Sequence, residues 1–397
     1  YCRFMQTPFF HIEIPTQAQD HKILANILPG ADSLAVSEIA AQFNGLTVVV
    51  TNDTRSAVRL EKELAQLSPL NVTFFPDWET LPYDSFSPHQ DIISARLSAL
   101  FHLQQRKQGI FILPIATLMQ RVCPPSYLQH RVLLINKGDR FVIETLRLQL
   151  EKSGYRAVEQ VLEHGEYAVR GALLDLFPMG SAVPFRLDFF DDEIDSIRTF
   201  DVDTQRTLQE IDQINLLPAH EFPTDNQGIE FFRSQFRAAF GEIRRDPEHI
   251  YQQISKGTLA AGIEYWQPLF FEEMATLFDY FPANTLFITS EQNQTQGERF
   301  YADAEQRFES RRVDPMRPLL SPDKLWLRID EVNRQFKNYP SITLKTEKVR
   351  SSARQKNLAI TPLPPLTIQS QQKEPLHQLR QFIEHFKGNI LFIVETE

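Results

Sequence analysis

Residues 185–200 read FRLDFFDDEIDSIRTF, and the fold turns on what the acidic run at its centre is. Asp192, Glu193, Ile194 and Asp195 spell DEID, the box with which a helicase-type ATPase closes a central strand. Such a strand lies in a parallel sheet covered on both faces, so the residues leading into the box should be continuously apolar. Here they are Arg186, Leu187, Asp188, Phe189, Phe190 and Asp191, mostly an alternation, which marks a sheet with one wet face. The box also needs a glycine-rich loop ending in Gly-Lys-Ser/Thr, whose amides and lysine hold the phosphates. No such tripeptide occurs in the chain. The nearest candidate, LPGADSLAVSEIA (28–40), precedes an expected helix but has one glycine, Gly30, no lysine, and Asp32 where negative charge repels phosphate. DEID is expected to be a β-turn, and the loop around Gly30 a degenerate phosphate loop.

Working outward, GEYAVRGALLDLFP (165–178), FRLDFF and IDSIRTFD read as three short strands separated by tight turns, an antiparallel meander. RVLLINKGD (131–139) before them is a strand, and ETLRLQLEKSGY (144–155) a helix stopped by Gly154. The start of the chain differs. TVVVTNDT (47–54) is a β-branched run, and Asp53 or Thr54 caps the amphipathic segment that follows. NVTFFPDWET (71–80), IISARLSALFHLQ (92–104) and GIFILPIAT (109–117) continue the series, and strands alternating with helices imply a parallel sheet. Helical patterns return at 229–243 and 246–257, then an apolar strand at 284–291. A polar, proline-rich stretch at 346–375 reads as a linker. The chain opens on Tyr and closes on the apolar strand pattern GNILFIVETE (388–397), so it is expected to be a piece of something longer.

The totals narrow the function classes. Of 397 residues 42% are hydrophobic and 23% charged, ordinary for a globular protein, and no run approaches the ~18 apolar residues of a membrane span. Only Cys2 and Cys123 are present, so neither a disulfide framework nor a thiolate metal site is expected, and a cytoplasmic setting is the default. A net charge of −10 argues against strong, unspecific DNA binding, while leaving a local basic patch open. The ten histidines show no HExxH spacing, His164 reads as structural, and no GxSxG elbow occurs. No catalytic residue and no metal ligand is expected.

On FRLDFF, Phe185, Leu187 and Phe189 share the core face, while Arg186, Asp188 and Phe190 share the other. Arg170, on the preceding strand, is expected nearby. Two readings stand side by side. Either Phe190 packs under the acidic turn and the arginines balance Asp188 and Asp191, or an arginine and an aromatic on a wet face form a binding surface. Being on the solvent side, all three side chains are expected to be removable without unfolding the chain.

PDWETLPYDSFSPHQDIISARLSALFHL (76–103), IATLMQRVCP (115–124), EHGEYAVRGALLDLFPMG (163–180), FRLDFFDDEIDSIRTFD (185–201), RDPEHIYQQISKGTL (245–259) and GIEYWQPLFF (262–271) together carry a resemblance. They resemble the N-terminal, UvrB-like part of the bacterial transcription-repair coupling factors (Mfd), from about Met5 to the end of the chain. The resemblance implies an α/β fold: a degenerate RecA-like parallel domain with an inserted α+β domain carrying the antiparallel meander. It implies domain 1A over 5–130, domain 2 over 131–213, domain 1B over 214–345, the linker over 346–375 and the start of a third domain over 376–397. It further implies no nucleotide site in this stretch. ATP, magnesium, the motor, the contacts with DNA and RNA polymerase, and a C-terminal regulatory domain that covers domain 2 at rest belong to the rest of such a factor. UvrA of excision repair is the implied partner, docking on domain 2 through the arginine of YxxRG, the arginine of RxDFF and that strand's last phenylalanine. Those positions are Arg170, Arg186 and Phe190. UvrB's tyrosine-rich DNA-clamping hairpin has no counterpart between Phe75 and Ala95, where Tyr83 stands alone.

Overall fold

The computed structural model describes residues 9–28, 30–241, 245–364, 366, 374–388, 390 and 392. The early chain supplies strands β1 (His21–Ala25), β2 (Leu46–Thr51), β3 (Val72–Phe74) and β4 (Gly109–Pro114), with helices α1 (Ala31–Gln42), α2 (Thr54–Leu67) and α3 (Gln90–Gln105) between them. The middle supplies β5 (Leu133–Asn136), β6 (Arg156–Ala157), β7 (Glu166–Arg170), β8 (Leu173–Leu176), β9 (Phe185–Phe190), β10 (Glu193–Phe200), β11 (Thr207–Ile211) and β12 (Gln213–Leu216). The last part adds β13 (Thr285–Ser290), β14 (Ser341–Leu344) and β15 (Gln355–Asn357).

Seven of these form one sheet in the order β15-β1-β14-β13-β2-β4-β3, with every pair parallel. Strands β2 and β4 are buried along their whole length. Val48, Val50, Phe111 and Leu113 point into one core, whereas Val49, Ile110 and Ile112 point into another, shared with Ala35, Val36 and Ile39 of α1 and Leu60 and Leu64 of α2. A strand covered on both faces has no wet side to encode, which is why these runs are unbroken in the sequence. Of the two cap candidates, Asp53 starts α2, its carboxylate accepting the Ser56 amide at 2.7 Å.

The second sheet has the order β11-β10-β9-β8-β7-β6, antiparallel except for the short β6, which runs parallel to β7. The meander therefore has more strands than expected, because 165–178 folds back on itself. Gly171 takes a φ of +63°, open to glycine, and turns β7 directly into β8. The expectation that the acidic box is a β-turn holds only for its first residue: Asp191, at a φ of 59°, and Asp192 make the reversal, while Glu193, Ile194 and Asp195 belong to β10, Glu193 pairing with Phe190. Strands β5 and β12 pair antiparallel, zipping the entry and exit of the insertion together. The α/β fold class expected from the sequence, a parallel sheet plus an antiparallel insertion, is thus present.

A buried charge pair lies between α3 and the segment that follows β12. Arg96 of α3 is fully buried; its Nε and Nη2 donate to the two carboxylate oxygens of Glu221 at 2.5 and 3.3 Å, and its Nη1 to the Pro76 carbonyl at 2.8 Å. The guanidinium carbon sits 4.5 Å from the Phe75 ring centre and 5.5 Å from that of Trp78. The Glu221 carbonyl in turn accepts Gln267 Nε2 at 3.0 Å. His164 is structural, as expected: its ring lies on Phe177 at 3.9 Å, with Nδ1 2.7 Å from an Asp91 carboxylate oxygen and Nε2 2.8 Å from the Ser181 carbonyl.

One expectation needs correction. Part of the stretch assigned to a linker belongs to the first sheet, where β15 pairs in parallel with β1 and Leu358 is buried. The cause is side-chain to backbone bonding: the Asn26 amide donates to the carbonyls of Leu358 and Ile360 at 2.9 and 3.2 Å, holding polar sequence that has no apolar pattern of its own. The expected strand at 388–397 falls largely outside the described residues. No helix among the described residues is long and apolar enough to cross a membrane.

Removing one partner of a buried ion pair leaves an uncompensated charge, typically at a cost of about 3–5 kcal/mol. Arg96→Met should therefore lower the urea midpoint strongly, and Arg96→Met combined with Glu221→Leu should restore much of it. An unchanged midpoint in the single variant would show that the pair does not stabilise the fold.

Candidate functional site

Strand β9 alternates as the sequence demands. Phe185, Leu187 and Phe189 are buried, Arg186 and Asp188 are half-buried, and Phe190 is 80% exposed. Residues opposite one another in a ladder share a face. Arg170 is opposite Leu173, and Leu173 opposite Asp188; Asp175 is opposite Arg186, and Arg186 opposite Arg198. Arg170, Leu173, Asp175, Arg186, Asp188 and Phe190 thus occupy one face, with β7 and β9 about 10 Å apart across β8. Arg170 and Phe190 stand at the same end of this face, and Arg186 lies further along it.

The three expected contact residues are not equivalent. Phe190 has no ring partner among the described residues and projects beside the Asp191–Asp192 turn. Arg170 is exposed, and its Nη2 donates to the Glu159 carbonyl at 2.5 Å. That loop is itself fixed, since the buried Glu166 carboxylate accepts the amides of Leu162 and Glu163 at 2.8 and 2.9 Å and Arg156 Nη2 at 2.5 Å. Arg186 is different. Its Nε and Nη2 form a fork on Asp175 at 2.7 and 2.8 Å, its Nη1 reaches the Gln205 carbonyl at 3.3 Å, and its guanidinium lies 5.0 Å from the Phe200 ring centre. The side chain of Asp175 is only 4% exposed and that of Arg186 19%. The hydrogen bonds that Arg186 donates to Asp175 hold its pKa above the ordinary value. Its partner is Asp175 and not, as expected, Asp188 or Asp191, and this fork speaks against the expectation that Arg186 is dispensable for folding. A period of two reveals which face a residue is on, but not which residue stands opposite.

Sequence reasoning also missed Leu208, 67% exposed on β11. A register shift between Arg198 and Phe200 falls beside it, so the ladder does not assign Leu208 to either face. TLQEI carries no strand signal of its own, and only its pairing with β10 places it.

The place where an open parallel sheet binds ligands is the rim beyond the C-terminal ends of its strands. There the fold leaves a cavity of about 330 Å³ lined by Asp32, Thr51, Asn52, Arg59, Ser290 and Lys345, among others. Asp32 lies in the first turn of α1, where a phosphate would sit, and accepts the Gly30 amide at 3.1 Å. Arg59 donates to Asp32 and, at 2.8 Å, to Glu63, and these bonds raise its pKa further. The helix terminus is already supplied with an anion, and the nearest arginine is already engaged.

The fold and this face define a UvrB-like α/β module: residues 133–222, which take in the insertion and its return segment, match the UvrB interaction domain family. Across nearly its whole length the chain is similar to transcription-repair-coupling factors. It is 78% identical over 393 residues to that of Haemophilus influenzae, covering 99% of this chain and 34% of the relative. It is 56% identical over 389 residues to that of Escherichia coli, 98% of this chain and 34% of the relative, and 26% identical over 284 residues to that of Bacillus subtilis. The chain belongs to the transcription-repair-coupling factor family and corresponds to the N-terminal third of these relatives.

The geometry separates two variants that the sequence had grouped. Arg186→Ala strands a buried carboxylate and should cost about 2–3 kcal/mol, the scale of hydrogen bonds to charged groups. Phe190→Ala, at the surface, should stay within about 0.5 kcal/mol of the parent. Urea unfolding of the two variants checks this; equal midpoints would mean that the Asp175–Arg186 fork is not structural.

Proposed function

We propose that this chain is a protein-docking module that recruits UvrA, and that it performs no nucleotide chemistry of its own. The observation that carries the reading is Phe190: a large ring, 80% exposed, held on a rigid strand inside a domain that matches the UvrB interaction family. Aromatics and arginines dominate the energetic centres of protein interfaces, and a ring fixed in advance loses little freedom on binding. Arg170, anchored through Glu159 at the same end of the face, is the second contact. Arg186 contributes from its fork with Asp175, which fixes the guanidinium while lending its edge to the partner.

In the intact factor this face brings excision repair to an RNA polymerase stalled at a lesion. ATP, magnesium, the motor's grip on DNA and the polymerase belong to the remainder of the protein, whose regulatory C-terminal domain covers the face at rest.

Titrating the folded chain against UvrA tests the proposal. Hot-spot truncations typically cost at least about 2 kcal/mol, so Phe190→Ala and Arg170→Ala should each weaken binding by roughly thirtyfold or more. A folded parent that fails to bind UvrA at micromolar concentrations would end the reading.

The rival is a residual nucleotide site at the rim cavity, disfavoured by the Asp32–Arg59 pairing. A ligand bound to the native state must stabilise it. Millimolar ATP with magnesium should leave the melting temperature unchanged, and a clear rise would revive the rival.

A further inference from the structure

Residues 345–357 read KTEKVRSSARQKN: five cations, Lys345, Lys348, Arg350, Arg354 and Lys356, against the single acid Glu347, in a chain whose net charge is −10. In a linker such charges would have no fixed geometry, but the fold gives them one. Leaving β14, the chain crosses the end of β1, where Asn26 and Ile27 donate their amides to the carbonyls of Glu347 at 3.3 Å and Lys345 at 3.0 Å. It then reverses and returns as β15 on the far side of β1. Ile23 donates to the Arg354 carbonyl at 2.8 Å, and Leu358 to that of Ala25 at 2.9 Å. The Asn357 side chain closes the lobe: its oxygen accepts the Val349 amide at 2.9 Å, and its nitrogen donates to the Val349 carbonyl at 2.7 Å.

Some of the charge is spent locally. Lys345 faces Glu291 at 3.6 Å, and Lys356 donates to the His11 carbonyl. Lys22 on the adjacent strand pairs with Glu13 at 2.8 Å. Lys348, Arg350 and Arg354 are exposed, and no ion pair engages any of them among the described residues. Between 341 and 360 there is no Phe, Tyr or Trp. The lobe has no ring on which unpaired bases would stack, and none of the exposed aromatic anchors around which protein interfaces form. What it offers is cationic groups on an ordered loop, and that chemistry matches the phosphate oxygens of a duplex, contacts that position a protein without reading sequence.

We infer that the lobe at 345–357 is a sequence-independent contact for the phosphate backbone of duplex nucleic acid. The binding is weak, in the range of about 0.1 mM to 1 μM typical of unspecific contacts. Three phosphate contacts give a log–log salt slope of about −2.7, a fall of roughly fortyfold between 50 and 200 mM salt.

The test is fluorescence anisotropy of the whole chain on a short labelled duplex over a series of salt concentrations. The parent should bind at 50 mM salt with about that slope. The variant Lys348→Ala/Arg350→Ala/Arg354→Ala should lose at least tenfold and flatten the slope, with an unchanged melting temperature. A control, Arg140→Ala/Arg334→Ala, and the docking-face variant Phe190→Ala should both bind as the parent does. Absence of binding at 50 mM salt, or equal binding by the triple variant, would overturn the inference. Displacement by polyglutamate as effective as by unlabelled duplex at equal charge would also overturn it, and would assign the lobe to an acidic protein surface.

Discussion

The architecture hangs on the Arg96–Glu221 pair. A charge taken wholly out of water is tolerated only with its hydrogen bonds complete, and those of Arg96 come from two separate stretches of chain, Pro76 and Glu221. Gln267 fastens the same Glu221 from a third. None of these segments can leave without stranding the others. Glu221 lies just after the insertion returns from β12, so the pair fixes where the second sheet meets the first. The inner residues of that sheet, Leu187, Phe189, Ile194 and Ile197, then merge with a core that reaches Phe111 and Trp266. Only the Arg170–Phe190 end of the outer face is left to water, which makes Phe190 available; further along, Asp175 and Phe200 are buried.

Much of this was legible in the sequence, for definable reasons. The unbroken apolar runs of β2 and β4 announce strands buried on both faces, and the alternation of FRLDFF announces a strand buried on one. The same alternation excluded a motor strand before DEID. What failed was whatever depends on a distant partner. Strand β11 exists because β10 pairs with it, and β15 because β1 and the Asn26 side chain hold it. Asp175 and Arg186 are eleven residues apart and lie opposite each other only once the ladder register is set. No local pattern encodes that pairing, so Arg186 looked like a free surface cation.

That distinction changes how the docking face should be understood. An alanine at Arg186 removes a possible contact and also leaves Asp175 unpaired beneath the sheet, so its effect on any partner mixes recognition with structure. Phe190 and Arg170 carry no such ambiguity, because neither is matched to a buried charge. Binding energy assigned from them reports the interface itself.

The rim of the first sheet makes a complementary argument. At the rim where an open parallel sheet binds ligands, Asp32 stands at the start of α1 and Arg59 is bonded to it. Restoring a phosphate there would require expelling a carboxylate from a helix terminus that stabilises it and freeing an arginine from two acids. A lysine alone, grafted into the Gly30 loop, would meet Asp32 before it met any nucleotide. Of the cations on the lobe beside β1, Lys345 lines this rim cavity, while Lys348, Arg350 and Arg354 face solvent. The exposed aromatic on β9 and the basic lobe at β15 belong to different sheets.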